Sequence, residues 1–357
     1  LSHFHVQTIN ALGLEDYESG VIAAGALLKY LYETQMNSLD NILELHPYSI
    51  GKYMIIDSSS RRNLELVDTL REKQKRGSLL WVLDKTRTAM GARLLRTYVE
   101  QPLIEKAEII KRQKLIEALN ADEIREYLNP IYDLERLITR ITYQSANPRD
   151  LIAFRDSLKM LPPIKQQLSD IPCELTDEIN EEFDELKDIY ELLLSSIEDE
   201  PPISQRDGDI IKAGYNEEVD RLRDAKTKGK TWLAELEAGE REKTGIKNLR
   251  IKYNKVFGYY LEVTNSFKDM VPDYYVRKQT LTNAERYITP ELKELEDTIL
   301  GAEDRLTSLE YELFRDVRKQ ISCNVSRIQK TARAIAQIDV FASLALVASQ
   351  NNYCKPK

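Results

Sequence analysis

The stretch PELKELEDTILGAEDRLTSLEYELFRDVRKQIS, residues 290–322, decides how this chain is organised. Apolar residues recur in it at alternating spacings of three and four, as they do along the a and d seam of a coiled coil. These seam positions are Leu292, Leu295, Ile299, Ala302, Leu306, Leu309 and Leu313. Thr289 and Pro290 supply a capping residue and a proline at the first helical position. The pattern predicts one long helix over 290–322.

A second helical pattern precedes the first, over residues 209–242, and is less regular. Its seam positions are Tyr215, Val219, Leu222, Leu233 and Leu236. Lys226 and Gly229 occupy the slots between them where a seam would place apolar residues. Each arm of roughly thirty residues would reach about 45 to 50 Å at about 1.5 Å per residue. Two such helices can return antiparallel only if the residues between them form a compact tip.

Residues 243–289, between the two helical patterns, have the signals of β-structure. Apolar and polar residues roughly alternate over 247–262 on either side of a central turn, which is typical of a hairpin. The run YYVRKQ at 274–279 can add another strand. The tip is therefore predicted to contain at least three strands.

A different signal follows these strands. Thr282 and Glu285 stand three residues apart, which is the spacing of a capping box, and predict a helix that opens over 284–288. The free backbone N–H groups at a helix start favour phosphate. Thr282 and Asn283 thereby become candidate ligands of a polyanion.

The tip is also the basic part of an acidic chain. From Lys243 to Arg286, nine Lys and Arg residues stand against four Asp and Glu residues, a net charge of +5. The whole chain carries −8, so the remaining residues sum to −13. Such concentrated positive charge favours binding to the backbone of a nucleic acid. The alternative is that an exposed hairpin is charged only for solubility. The aromatic residues of the tip either stack on bases or, as we favour, form its small core: Tyr253, Phe257, Tyr259, Tyr260 and Phe267.

The first 208 residues have the pattern of a helical body. Residues 17–36 predict a helix buried on most of its surface, and YMIID at 53–57 predicts a strand followed by a turn. Two helices are predicted on either side of Asp84, which we assign as an N-cap, and Gly91 in the second is expected to permit close helix packing.

Three further breaks divide the body. Asn147 and Pro148 close one amphipathic stretch before another begins, and Pro162–Pro163 mark a turn. The run EDEPP at 198–202 marks the boundary between the body and the arm.

Little in the sequence points to catalysis, metal binding or a membrane. Cysteines are few and widely spaced, His3 and His5 have no nearby partner ligands, and GKT at 229–231 lacks the glycine and the strand that a phosphate loop needs. The longest apolar run, at 21–28, is far shorter than the roughly twenty residues of a membrane span. Because the chain begins at Leu1 without a leader, we expect an excised fragment. The few unpaired cysteines make a reducing, cytoplasmic compartment the default expectation.

Five motifs resemble the MutS family of bacterial DNA mismatch-recognition ATPases. They are RRNLEL at 61–66, LDKTRTAMGARLLR at 83–96, GYN at 214–216, FGYYLEVT at 257–264 and RKQTLTNAERYITPELKELE at 277–296. The resemblance covers the core, lever and clamp portions of that family. It implies that the mismatch-reading domain and the ATPase domain lie outside this chain.

The resemblance implies a mainly α fold, with a helical core domain and a long antiparallel coiled-coil lever arm that ends in a small strand-containing clamp. The predicted segments are the core at 1–208, the ascending lever at 209–242, the clamp at 243–289, the descending lever at 290–322 and a helix returning to the core at 323–357. It further implies double-stranded DNA as a partner, a homodimer in the parent protein, and ATP and Mg²⁺ in the parent but none in this fragment.

The family pattern carries DNA-backbone contacts onto six positions of this sequence, and charge alone adds three more. The first set is Asn265, Ser266, Lys268, Lys278, Thr282 and Asn283, and the second is Lys252, Lys255 and Arg277. Some relatives place a basic residue where this chain has Thr282. Two other functions stay open: a structural coiled-coil scaffold for protein partners, and an ATPase, which would require nucleotide binding by this fragment.

Overall fold

The computed structural model describes residues 1–4, 6, 8, 9, 14, 17–34, 39, 42, 45, 50–205, 207–254 and 258–356. Within them the chain is mainly helical. The α-helices are α1 (Glu18–Thr34), α2 (Ser58–Asn63), α3 (Leu79–Leu83), α4 (Ala89–Glu100), α5 (Lys106–Ala118), α6 (Ala121–Leu128), α7 (Leu134–Thr142), α8 (Pro148–Leu158), α9 (Leu161–Ser169), α10 (Glu174–Glu182), α11 (Lys187–Ser196), α12 (Glu217–Thr244), α13 (Pro290–Ser322) and α14 (Val325–Gln350). The strands are β1 (Arg250–Asn254), β2 (Gly258–Thr264), β3 (Val276–Thr280) and β4 (Ala284–Ile288).

The chain divides into two compact units. Unit 1 comprises residues 1–195 and 315–357, and unit 2 comprises residues 196–314. Helix α13 contributes to both, because the boundary falls between Phe314 and Arg315.

Helix α14 is the centre of unit 1. It packs against α3, α4, α5, α6, α7 and α10, and most of its side chains are buried. It is long and apolar enough to cross a membrane, but 72% of its most apolar window is buried inside the protein. That burial is what a core helix shows.

A buried carboxylate joins α14 to the start of α4. Asp339 on α14 is fully buried and accepts hydrogen bonds from the Thr88 N–H (2.7 Å), the Thr88 hydroxyl (2.7 Å) and the Arg87 N–H (2.9 Å). Burial raises the pKa of Asp339, although these donors oppose the change. Gly91 confirms the predicted close packing, because a Cβ atom there would lie 2.3 Å from the Asp339 Oδ2.

Three predictions for the body are wrong. Residue Tyr53 forms only an isolated bridge with Leu103 instead of starting a strand, and Asp57 caps helix α2 rather than preceding a turn. Asp84 is the C-cap of α3, while the side chains of Ser78 and Thr88 cap the two predicted helices. A β-branched run without a partner strand has no ladder to join.

Two further expectations also need correction. Helix α1 forms where it was predicted, but none of its residues is buried, and Ile22 is 67% exposed. Pro162 and Pro163 lie in the first turn of α9, where a missing N–H group has no intrahelical partner to lose. Pro148 begins α8 with Asn147 as its N-cap.

In unit 2 the ascending helix begins at Glu217 and not at Asp209. Gly208, Asp209 and Gly214 have positive φ angles of 74°, 53° and 83°, which break a right-handed helix. Asn216 is the N-cap of α12, and its side-chain oxygen accepts hydrogen bonds from the N–H groups of Glu218 and Val219. Tyr215 therefore precedes the helix and is not one of its seam positions.

Contacts between α12 and α13 run in opposite directions along the two helices. Arg223 pairs with Glu310 at 2.5 Å, and Lys226 pairs with Glu303 at 2.9 Å. Further along, a Cβ atom on Gly229 would lie 2.5 Å from Ile299. The two residues that interrupted the seam are therefore part of the helix contact.

The four strands form one antiparallel sheet in the order β1-β2-β4-β3. The predicted hairpin is β1 and β2, with Arg250 opposite Glu262 and Asn254 opposite Gly258. The predicted third strand is β3. Strand β4 lies where a helix was predicted and pairs with both β2 and β3.

We expect Gly91→Ala to destabilise unit 1 by about 2 to 4 kcal/mol, because the added methyl group displaces the Asp339 carboxylate from its donors. Urea unfolding followed by Trp81 fluorescence, in a Trp232→Phe background, measures the loss. Gly25→Ala is the matched control: a Cβ atom there meets nothing within 4 Å. The control should be neutral or stabilising by up to about 1 kcal/mol, and equal losses in both variants would contradict the contact.

Candidate nucleic-acid interface

Carboxylates on the two long helices hold the backbone of the sheet. Glu237 on α12 accepts the Ile251 N–H of edge strand β1 at 2.7 Å. Glu296 on α13 accepts the Tyr259 N–H of β2 at 2.6 Å. The Glu296 carboxylate lies so close to Gly258, whose φ is 75°, that a Cβ atom there would be 2.2 Å from its Oε2. Only glycine fits at that position.

A third carboxylate joins α12 to the segment before β3. Glu240 is 2% exposed and accepts hydrogen bonds from the hydroxyls of Tyr275 (2.7 Å) and Tyr274 (2.9 Å) and from Lys243 (3.1 Å). Burial acts to raise the pKa of Glu240, but these three donors outweigh it and hold the pKa below its ordinary value. Burial and the neighbouring carboxylate raise the pKa of the Tyr275 hydroxyl.

The sheet has a buried face and a polar face. On the buried face, Leu261, Val263 and Tyr287 belong to one hydrophobic core together with Leu236 of α12 and Leu292 of α13. Because paired residues share a face, the register places a row of polar side chains on the opposite side. This outer face carries Arg250, Lys252, Glu262, Gln279 and Arg286.

At one end of the sheet, two polar loops meet. The segment Asn265–Met270, a 3-10 helix, follows β2, and the turn at 281–283 joins β3 to β4. The Asn265 N–H donates to the Asn283 carbonyl at 3.2 Å, and its side-chain amide donates to the Thr282 carbonyl at 3.0 Å. These residues and Ser266 are all exposed.

The predicted capping box is wrong. Thr282 and Asn283 lie in a hairpin turn, closed by the Leu281 N–H to the Ala284 carbonyl at 2.8 Å, and Glu285 is a residue of strand β4. Pairing with β2 on one side and β3 on the other satisfies this backbone better than a single turn of helix would. The helix N-terminus invoked for phosphate binding is therefore absent from this turn.

Glu285 forms ion pairs with two neighbouring cations, Lys268 and Arg277. Its carboxylate is 3% exposed and lies 3.0 Å from the Lys268 ammonium and 3.5 Å from the Arg277 guanidinium. The Tyr287 hydroxyl and Lys268 hold the pKa of Glu285 below its ordinary value, while burial raises the pKa of Tyr287 to about 12. The side chains of Lys268 and Arg277 remain 53% and 58% exposed.

The nine predicted contact residues do not form one cluster. Six of them belong to segments that contact one another. Asn265 bonds to the carbonyls of Thr282 and Asn283, Ser266 and Lys268 lie in the same 265–270 segment, and Lys268 and Arg277 share the Glu285 carboxylate. Lys278 follows Arg277 on β3. Lys252 lies on β1 opposite Tyr260, four strand residues or about 13 Å from the end of β2, and pairs with Glu262 at 2.7 Å. Lys255 lies outside the described residues.

Not every cation of the tip is engaged by a carboxylate. Across the described part of the chain, Lys247, Arg250 and Lys278 are exposed and make no ion pair. The sequence analysis counted Lys247 and Arg250 in the net charge but did not select them as contacts. The alternation of β1 was the signal that could have placed Arg250 on the outer face.

The aromatic residues of the tip belong mainly to its structure. Tyr259 and Phe267 pack against the buried core, and Tyr260 is 5% exposed beneath the Arg286 guanidinium, 4.4 Å from its ring centre. Tyr253 is 49% exposed, and its ring lies 4.9 Å from that of Tyr259. Phe257 lies outside the described residues.

The GKT sequence does not form a phosphate-binding loop. The GKT sequence at 229–231 lies in the middle of α12, and the space at Gly229 that a phosphate would need is filled by Ile299. Among the residues that the structure describes, no group of three or more His, Cys, Asp or Glu side chains could hold a metal ion.

The chain matches a protein-family model and is similar to proteins of known name. A family model described as MutS domain III matches residues 59–345. The chain is 63% identical, over 99% of its length, to the DNA mismatch repair protein MutS of Lachnoclostridium phytofermentans. It is 52% and 54% identical, over 100% and 98% of its length, to the proteins of the same name from Ruminiclostridium cellulolyticum and Caldanaerobacter subterraneus subsp. tengcongensis. The chain spans 39%, 41% and 41% of these three relatives.

Glu240→Gln should make the stability of unit 2 less dependent on pH. The folded-state pKa of Glu240 lies below its unfolded value near 4.5, so its stabilisation is present above that pH and is lost as the pH falls through the folded value. We expect a deficit of about 1 to 3 kcal/mol at pH 7 that shrinks below about pH 4.5. Urea unfolding followed by Trp232 fluorescence in a Trp81→Phe background measures it.

Glu242→Gln is the control for this prediction. Glu242 is exposed on the same helix and should contribute little at any pH. A deficit in Glu240→Gln that grows as the pH falls would contradict the assignment.

Proposed function

The chain belongs to the MutS family, and we propose that its residues 243–289 act as a clamp that grips the phosphate backbone of duplex DNA without reading its sequence. The observation that carries this proposal is the contact between two exposed polar loops, the 265–270 segment and the 281–283 turn. Three exposed cations accompany them: Lys268 in the first loop, and Arg277 and Lys278 on β3. Amide and hydroxyl donors with flexible cations are the groups that contact phosphate and sugar in protein–DNA complexes.

The two loops supply short donors held in fixed positions. The hydrogen bonds that Asn265 makes to the carbonyls of Thr282 and Asn283 hold the two backbones together. The side chains of Ser266, Thr282 and Asn283 stay exposed beside them. Short donors of this kind fix the register of a protein along a phosphate chain, while longer cations supply most of the attraction.

The cations around these donors differ in whether a carboxylate is paired with them. Lys278 is exposed and has no carboxylate partner among the described residues, so its charge is fully available to a phosphate. Lys268 and Arg277 share the Glu285 carboxylate. A phosphate must compete with Glu285 for these two charges, which weakens the grip and favours rapid release.

Helices α12 and α13 would serve as a coiled-coil lever for this clamp. In the whole protein we propose that the lever couples the clamp to a separate ATPase domain, where ATP and Mg²⁺ would bind, and that a further domain reads the mismatch. The whole protein would act in DNA mismatch repair as a cytoplasmic homodimer, with no membrane partner. These 357 residues would contribute binding and coupling, and no catalytic step.

A structural coiled-coil scaffold for protein partners is the second candidate. The observation that favours it is the pairing of α12 with α13, which would suffice for a scaffold. The clamp proposal differs because it requires the tip to bind DNA in a salt-dependent way.

The fragment should bind duplex DNA weakly, with a slope of log affinity against log salt of about −3 to −4, as expected if about four phosphates are neutralised. Replacing Lys268, Lys278 and Asn283 together by Ala should lower affinity at least about tenfold and make the slope shallower by about 2. Fluorescence anisotropy with a labelled duplex at several salt concentrations measures both.

Arg71→Ala with Arg76→Ala is the charge-matched control, since both arginines are exposed in unit 1. A flat salt response of the unmodified chain, or equal losses in the control and the triple variant, would refute the clamp. Unchanged DNA binding in the triple variant would favour the scaffold.

Glu285→Gln should strengthen DNA binding by about threefold and steepen the salt slope by about 1, because Lys268 and Arg277 lose their competing carboxylate. Glu262→Gln removes one carboxylate from the outer face, beside Lys252, and should have a smaller effect. Weaker binding by Glu285→Gln, in protein whose thermal unfolding is unchanged, would show that Glu285 orients the cations instead of competing with DNA.

A further inference from the structure

A groove on the helix pair is unexplained by DNA binding. It lies between α12 and α13, within unit 2, and has a volume of about 480 Å³. Its walls include Trp232, Glu235, Gly239, Glu291, Glu294 and Leu295. We call it the tryptophan groove.

Trp232 is half-exposed and is not part of the core of unit 2. Leu233 and Leu236 of the same helix are 8% and 7% exposed and join the core of unit 2, whereas Trp232 is 42% exposed. Tryptophan is among the residues enriched at the centres of protein interfaces, because its large rigid ring adds contact area at a low cost in conformational entropy.

The rim of the groove is acidic. Glu235 and Glu291 are exposed and make no ion pair with the side chains that the structure describes, and Glu294 adds a third exposed carboxylate. Lys243, the one cation among the described residues of the lining, is engaged by the buried Glu240 at 3.1 Å. The groove therefore combines an aromatic face with a rim in which carboxylates outnumber the described cations.

We propose that the tryptophan groove binds a cationic linear peptide segment. An Arg or Lys side chain of the segment stacks on the Trp232 ring, a second pairs with Glu235 or Glu291, and an apolar side chain between them contacts Leu295. The charge of the rim repels DNA, so this site is separate from the basic tip and independent of its function.

Gly239 leaves room for the segment. A Cβ atom there would meet nothing within 4 Å, so the helix can carry a larger side chain at this position without a clash. A leucine would occupy the groove and also raise helix propensity. Gly301 on α13 is equally open and does not line the groove, which makes the same substitution there a matched control.

The test uses the 357-residue chain with Trp81→Phe, which leaves Trp232 as the sole tryptophan. The probe is the peptide acetyl-RLRRLR-amide, titrated against Trp232 fluorescence, with acetyl-ELEELE-amide as the reversed-charge probe. We expect a saturable change with the basic peptide and none with the acidic peptide. Binding should weaken at least about fivefold in Glu235→Gln with Glu291→Gln.

Gly239→Leu should abolish the response, while Gly301→Leu should retain it. Isothermal calorimetry with the same peptides, in chains that keep both tryptophans, checks the result without relying on fluorescence. An absent response at low salt, an equal response to both peptides, or full binding by Gly239→Leu would overturn the proposal.

Discussion

The sheet of unit 2 depends on carboxylates supplied by the helices beneath it. Glu237 and Glu240 on α12 and Glu296 on α13 accept hydrogen bonds from the sheet or from the segment that leads into it. The sheet also contributes Leu261, Val263 and Tyr287 to the core that it shares with these helices. Hydrogen bonds from backbone N–H groups to ionised acceptors are stronger than neutral ones, and removing one leaves a buried donor unsatisfied.

In the tip, several carboxylates are buried while most cations are exposed. Glu240, Glu285 and Glu296 are nearly buried, and their negative charge is directed at donors inside the unit. The lysines and arginines of the same region lie mostly at the surface. A net charge counted along the sequence therefore understates how positive the exposed surface is, while Glu285 offsets part of that charge at one particular place.

Much of this fold follows from local sequence patterns, and the failures have definite causes. The long helix from Pro290 has both a cap and a regular seam, so its bounds could be predicted. Strand β4 could not, because Thr282 and Glu285 match a capping box locally, and only pairing with β2 and β3 makes the segment a strand. The same limit applies to the contact site. Composition predicts such a site in the tip, but the separation of Lys252 from the 265–283 loops follows from the sheet order.

The seam itself shows why a weak pattern can still specify a strong contact. Lys226 and Gly229 looked like defects, yet the first pairs with Glu303 and the second admits Ile299 against its backbone. Sliding one helix by a single residue, about 1.5 Å, would separate Lys226 from Glu303 and press Ile299 against a residue that has a Cβ atom. Arg223 and the fully buried Glu310 add a third fixed point. Because three such contacts define one register, the two helices are expected to move together, as the proposed lever would require.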